Sequence, residues 1–193
     1  MSVASIIASP DRLWSRAEVL GRDSPVPREA GLYAWYFKVV PPGVPVDSCT
    51  TVEGKTLLYS EISPKAPPKN GKPPSKENLW KRVRYHLRGN AEGSTLRLTL
   101  GVLLGIELRR VGSGKRMTFG HDEETLSNWL EENAFVMWIT HPKPWELETE
   151  VINTYSLPLN LDQNTAHPFH PILSQLRREA KQTANNKPIL DHT

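Results

Sequence analysis

Apolar residues along the chain change spacing several times, and each change marks an element. Leu13, Trp14, Ala17 and Leu20 recur at helical spacing until Gly21 ends the run, and Pro25 and Pro27 break it. Gly31-Leu32-Tyr33-Ala34-Trp35-Tyr36-Phe37 is aromatic-rich and reads as a strand, followed by a loop opened by Pro41-Pro42-Gly43. Thr56–Ile62 reads as a second strand. Between Pro64 and Lys76, prolines alternate with lysines, which excludes both helix and inner strand and leaves an extended basic loop. Ser75 is the expected cap of a helix reaching about Arg88, with Leu79, Trp80, Val83 and Leu87 on one side. Leu96–Leu108 is apolar and helical in its first half. Asp122 opens a helix striped by Leu126, Trp129 and Leu130. Phe135–Thr140 is a buried strand, and Pro144 begins a helix carrying Leu147, Val151, Ile152 and Tyr155. Residues 157–164 are irregular, and amphipathic Ile172–Lys181 closes the fold. The order strand, strand, three helices, strand, helix predicts an α+β domain with a small, mainly antiparallel sheet.

Composition narrows the class. With 193 residues, 38% of them hydrophobic and 23% charged, the chain suits one folded domain with a sizeable core. The net charge of +3 is compatible with a polyanionic partner without requiring one. A single cysteine, Cys49, excludes an internal disulfide and fits a reducing compartment. The first residues lack a charged n-region and apolar core, and no apolar run approaches the roughly 20 residues a bilayer requires. A cytoplasmic protein without a membrane anchor is expected.

Chemically useful residues fall in four separated segments. Tyr33 shares a strand face with Trp35 and Phe37, and Tyr59 shares one with Glu61; if the two strands pair, the phenols lie side by side. Each tyrosine alone also reads as a core aromatic. On the helix ending near Arg88, Lys81, Arg84 and Arg88 form a basic stripe suited to phosphates or to a solvated face. Arg82 and His86 lie one turn apart beside the buried face, where a guanidinium suits phosphoryl charge and an imidazole titrates near neutral pH. Glu148 aligns with Ile152 and Tyr155, so it points inward. An inward carboxylate is costly unless it is paired or binds a metal. His167 and His170 are interrupted by prolines and have no completing ligand, so no zinc site is read there. Gly112-Ser113-Gly114-Lys115 lacks the spacing of a phosphate loop and reads as a basic turn.

Taken in order, these segments resemble the GIY-YIG nuclease superfamily, which includes phage homing endonucleases, some restriction enzymes and the incising subunit of bacterial excision repair. Gly31-Leu32-Tyr33 stands at the first triplet and Tyr59-Ser60-Glu61 at the second. Arg82 and His86 stand at the helical arginine and histidine, Glu148 at the metal-binding glutamate, and Asn160 at the family's asparagine. The stretch from Arg88 to Arg97 is similar to a bacterial subgroup. The resemblance spans about residues 26–165, with 1–25 as a lead-in and 166–193 as a C-terminal helix and tail packed on the same domain.

The resemblance implies a divalent-metal-dependent endonuclease acting on nucleic acid, DNA before RNA. Glu148 would hold one Mg²⁺ or Mn²⁺ ion, and Tyr33 or Tyr59 would accept the proton of the attacking water. Arg82 would neutralise charge on the scissile phosphate, His86 would position or relay a proton, and Asn160 would fix neighbouring groups. Lys65, Lys69, Lys72, Lys81, Arg84 and Arg88 would bind phosphates along the strand. The departure is Glu61, which replaces the glycine ending the second triplet. Its carboxylate could repel the substrate phosphate, add a metal ligand, or swing out to solvent. Two competing functions remain: a binding module that has lost turnover through Glu61, and a protein-interaction or regulatory subunit.

Overall fold

A computed structural model describes residues 2–68, 70, 73 and 75–190. The centre of the fold is β2 (Gly31–Phe37), whose seven residues are all buried. It pairs antiparallel on one side with β4 (Lys55–Ser63) and on the other with β7 (Ala134–Thr140). The short β1 (Trp14–Ser15) and β3 (Thr51–Val52) complete a five-stranded antiparallel sheet in the order β1-β7-β2-β4-β3. Burial on both faces explains why β2 reads as a continuous apolar run, while its alternation still sorts two cores. Tyr33, Trp35 and Phe37 face one core. Leu32, Ala34 and Tyr36 face the other.

The first core is covered by α2 (Arg16–Leu20), α3 (Leu79–Arg88), α4 (Thr95–Leu103), α5 (Glu123–Asn133) and α7 (His170–Asn185). The second is covered by α1 (Val3–Ala8) and α6 (Trp145–Thr154), through Ile7, Val151 and Ile152. A hairpin of β5 (Arg109–Val111) and β6 (Arg116–Thr118) stands apart from the main sheet. The family of elements is the α+β arrangement expected from the apolar pattern. Gly31 is required by packing: a Cβ there would lie 2.2 Å from the Ile139 carbonyl oxygen and 2.7 Å from Leu79.

Four local expectations are revised. The cap of α3 is Asn78, whose side chain accepts from the Lys81 N–H, and not Ser75. Leu13 and Trp14 precede the first-core helix, and Trp14 is in β1, where it stacks on Trp138 at 5.6 Å. Asp122 stands at the start of α5 but makes no capping hydrogen bond. The last helix is longer than Ile172–Lys181.

Among the described residues, the C-terminal half of β4 has no strand on its outer side. Residues 157–162 run along it instead: Leu159 N–H donates to the Leu58 carbonyl at 3.1 Å. The Asn160 side chain accepts from the Ser60 N–H at 3.0 Å and donates to the Ser60 carbonyl at 2.7 Å. A single amide therefore satisfies both backbone groups of an edge residue, which protects the edge and holds β4 beside α6 and α7.

Candidate active site

Strand register sets the site. Tyr33 lies directly opposite Glu61, and Trp35 opposite Tyr59, so both phenols and the carboxylate project toward α3. Tyr33 Oη donates to Glu61 Oε2 at 2.7 Å, and Tyr59 Oη donates to the same oxygen at 3.0 Å. From α3, Arg82 Nη2 donates to Glu61 Oε1 at 3.0 Å and Oε2 at 3.3 Å, while Nη1 donates to the Gly93 carbonyl at 2.9 Å. His86 Nε2 lies 2.8 Å from Tyr33 Oη and 3.2 Å from Glu61 Oε2. Glu61 is 6% exposed and His86 1%. Solvent exposure of Glu61, one of the three expected outcomes, is overturned: four side chains converge on its carboxylate.

The electrostatics follow from this enclosure. Burial pushes the Glu61 carboxyl up, but the His86 contact, the Arg82 charge and the Tyr33 hydroxyl outweigh it and hold it far below the usual carboxylate range. Burial, with the Glu61 charge second, raises both Tyr33 and Tyr59 well above ordinary phenols. Burial also lowers His86, against the opposing pull of Glu61, so the imidazole is neutral. Its partners assign the tautomer. Ser94 Oγ accepts the Arg97 N–H at 3.1 Å and stands 2.7 Å from His86 Nδ1, while Nε2 faces the Glu61 carboxylate, which can only accept. His86 therefore carries its proton on Nε2, facing Tyr33 and Glu61. In this arrangement both phenols donate to Glu61.

Beside this cluster opens a cleft of about 360 Å³, lined by Tyr59, Ser60, Glu61, Glu148, Asn160 and the cleft side of α7. Glu148 is half-buried, and Gln163 Nε2 donates to its Oε2 at 2.8 Å. Burial raises its carboxyl, and the Glu61 and Asp162 charges add to the effect. Such a carboxylate gains from a nearby cation. Its Oε1 makes no hydrogen bond among the described residues, so it fits a hard divalent ion held by one side chain and otherwise by water and phosphate oxygens. Among the described residues no three His, Cys, Asp or Glu side chains group as a ready-made metal cage.

The expected phosphate-binding residues divide. Lys65 lines the cleft and pairs with exposed Asp162 at 3.3 Å. Lys81 and Arg88 are exposed and border a shallow groove with Trp80 and Arg82. Arg84 is not on a free stripe: its guanidinium donates to the Val19 and Leu20 carbonyls at the end of α2 and lies 4.9 Å from the Trp80 ring centre. It is a tether between helices. Lys69 and Lys72 lie outside the described residues. His167 accepts from the Phe169 N–H at Nδ1 and meets Ser156 Oγ at 3.0 Å, which staples a turn.

The family model of the GIY-YIG catalytic domain matches residues 31–179. The chain belongs to the GIY-YIG family. Neither the characterised proteins nor the solved structures include a match to it. Members of the GIY-YIG family are nucleases, so a hydrolase acting on nucleic acid is the class in which this chain stands. Among the described residues no helix is long and apolar enough to cross a membrane.

Sequence reasoning missed two groups in this GIY-YIG site. Ser94, which orients His86, stands in the Arg88–Arg97 stretch, where sequence reasoning gives it no role in the site. Ser174, Arg177, Arg178 and Lys181 of α7 line the cleft. Their spacing of three, one and three residues puts them on one side of a helix, and that was the available signal.

Proposed function

We propose that this GIY-YIG chain is a divalent-metal-dependent endonuclease acting on DNA, whose resting site is held closed by Glu61. The observation that carries the reading is that Tyr33, Tyr59, Arg82 and His86 meet in one cluster beside the cleft lined by Glu148 and Asn160. Glu148 would hold the ion, which when bound supplies Lewis-acid polarisation and a more acidic water.

The chain's own residues divide the remaining work. Asn160 fixes the β4 backbone from which Tyr59 and Glu61 project. Ser94 fixes the His86 ring, and His86 Nε2 donates to Tyr33 Oη. Tyr33 in turn donates its hydroxyl to Glu61, so His86 and Glu61 together position the phenol beside the cleft. Arg82 is the guanidinium for phosphate charge, but it spends that charge on Glu61 until the carboxylate moves aside. The same observation favours a second reading, in which Glu61 never yields and the chain binds nucleic acid without cutting it.

The deciding experiment is cleavage of plasmid, single-stranded DNA and RNA by purified protein with Mg²⁺, Mn²⁺ or EDTA, beside Glu148→Ala and Glu61→Gly. Metal-dependent DNA cutting that Glu148→Ala abolishes, without loss of fold, is expected. Undiminished cutting by Glu148→Ala would remove Glu148 from the metal role. If neither wild type nor Glu61→Gly cuts any substrate, the binding reading replaces the enzyme; RNA cut in preference to DNA would correct the substrate.

A further inference from the structure

Cations in and beside the cleft differ in their commitments. Arg82, beside it, is engaged: Nη1 donates to the Gly93 carbonyl, and Nη2 to both oxygens of Glu61. Lys65 is paired with Asp162. Arg178 donates to the side chain of Gln175, one turn back on α7. Arg177 lies among them, half-buried, and faces Tyr59 and Asp162 closely enough to feel both. It makes no hydrogen bond or ion pair with any described residue. A half-buried guanidinium with no hydrogen-bonded partner among the described residues gains from an anion, and its planar fork of donors matches two oxygens of a phosphate.

We propose that Arg177 is the phosphate-binding guanidinium of this chain, taking the backbone phosphate that Arg82 cannot hold while Glu61 occupies it. This rests on the reading that the cleft accepts nucleic acid. The ligand is a phosphodiester of a DNA strand running between α7 and the Glu148 side of the cleft. Arg177 stands on the wall facing Tyr59, so a phosphate bound there lies beside both the tyrosine cluster and Glu148. Phosphate capture thus passes from the first helix of the motif to the last helix of the fold, as a direct result of the glycine-to-glutamate departure at residue 61.

The test is fluorescence anisotropy of a labelled DNA oligonucleotide in EDTA, across a salt series, for wild type, Arg177→Gln and Arg177→Lys. Because Arg177 makes no hydrogen bond or ion pair among the described residues, all three should melt alike. Arg177→Gln is expected to bind about tenfold more weakly, with a log–log salt slope shallower by about 1. Arg177→Lys should restore the slope and only part of the affinity, since it keeps the charge and loses the fork. In a Glu61→Gln background, which leaves the shape and frees Arg82 from a carboxylate, the Arg177→Gln penalty should shrink to about twofold. Equal affinity and slope for wild type and Arg177→Gln would overturn the inference while leaving the nuclease reading intact. An equal penalty in both backgrounds would overturn the substitution of Arg177 for Arg82. Failure of wild type to bind any oligonucleotide would overturn both readings together.

Discussion

Two buried charged clusters in this protein use the same chemistry to different ends. Arg97 of α4 is wholly enclosed, and its donors all end on protein. Nε and Nη2 reach Glu123 Oε2 at 3.0 and 2.7 Å, Nη2 also reaches the Glu123 carbonyl and Ser127, and Nη1 reaches the His86 carbonyl at 3.4 Å. The other Glu123 oxygen accepts from the Ala91 and Phe119 N–H groups. The result is a closed staple joining α4, α5 and the end of α3. Glu61 is as crowded by donors, yet it lines the cleft, and most of its bonds go to one oxygen. A sealed ion pair can only hold; one at the wall of a cleft can exchange partners when an anion arrives. His86 belongs to both clusters, by its carbonyl to the first and its ring to the second.

Breaking the sealed cluster should have the largest effect. Glu123→Ala leaves Arg97 buried without its counter-ion and is expected to destabilise the fold by about 3–5 kcal/mol, read by urea denaturation. A loss under 1 kcal/mol would mean that the pair is not the staple described. Opening the other cluster should act on turnover instead. Glu61→Gly frees Arg82 and is expected to raise the cleavage rate by about 10²-fold, the scale of one charge-stabilising donor in a transition state. A fall in rate would show that Glu61 assists the reaction.

A smaller effect separates the clusters by pH. Glu61 and His86 both have folded-state pKa values below their ordinary ones, so the unfolded chain takes up protons that the folded chain refuses. Each contribution is present above the ordinary value and is lost as pH falls toward the folded one. The His86 limb therefore begins near 6.5 and the Glu61 limb near 4.5. The stability of wild type relative to Glu61→Gln should hold steady from pH 7 to about 5 and decline below that. A decline that begins near pH 6.5 would assign the linkage to His86.

The smallest effect tests Arg84. Arg84→Gln should cost about 1 kcal/mol by loosening α2 from α3 and leave the salt slope of DNA binding unchanged. Arg88→Gln should show the reverse, a shallower slope with unchanged stability. A shallower slope for Arg84→Gln would return it to the phosphate-binding set.

The long elements were legible because their periods repeat. β2, β4, β7 and the helices over 79–88, 123–133 and 145–154 each present several turns or alternations of apolar residues. The two- and three-residue strands have no period to read, and α1 is too short to declare itself. The site was legible in its parts and not in its pairing. Alternation placed Glu61 on the Tyr59 face, but its partners Tyr33, Arg82 and His86 are 21 to 28 residues distant, and only the sheet register brings them together. Helical spacing put Arg84 in line with Lys81 and Arg88, yet it carries no information on which neighbour α2 would present. Arg177 was hidden for a related reason: a basic residue on an amphipathic helix gives no sign of the cleft beside it.

The position of α7 has a consequence for how this scaffold can diversify. Ser174, Arg177, Arg178 and Lys181 line the cleft from a helix that carries none of the triplet, arginine, histidine or glutamate positions, while Leu173 and Ala184 anchor that helix in the core. Exchange of the four cleft-side residues would leave the tyrosine cluster, Glu148 and the sheet untouched. The preference for one nucleic acid over another can thus drift along a single surface of one helix, independently of the chemistry it serves.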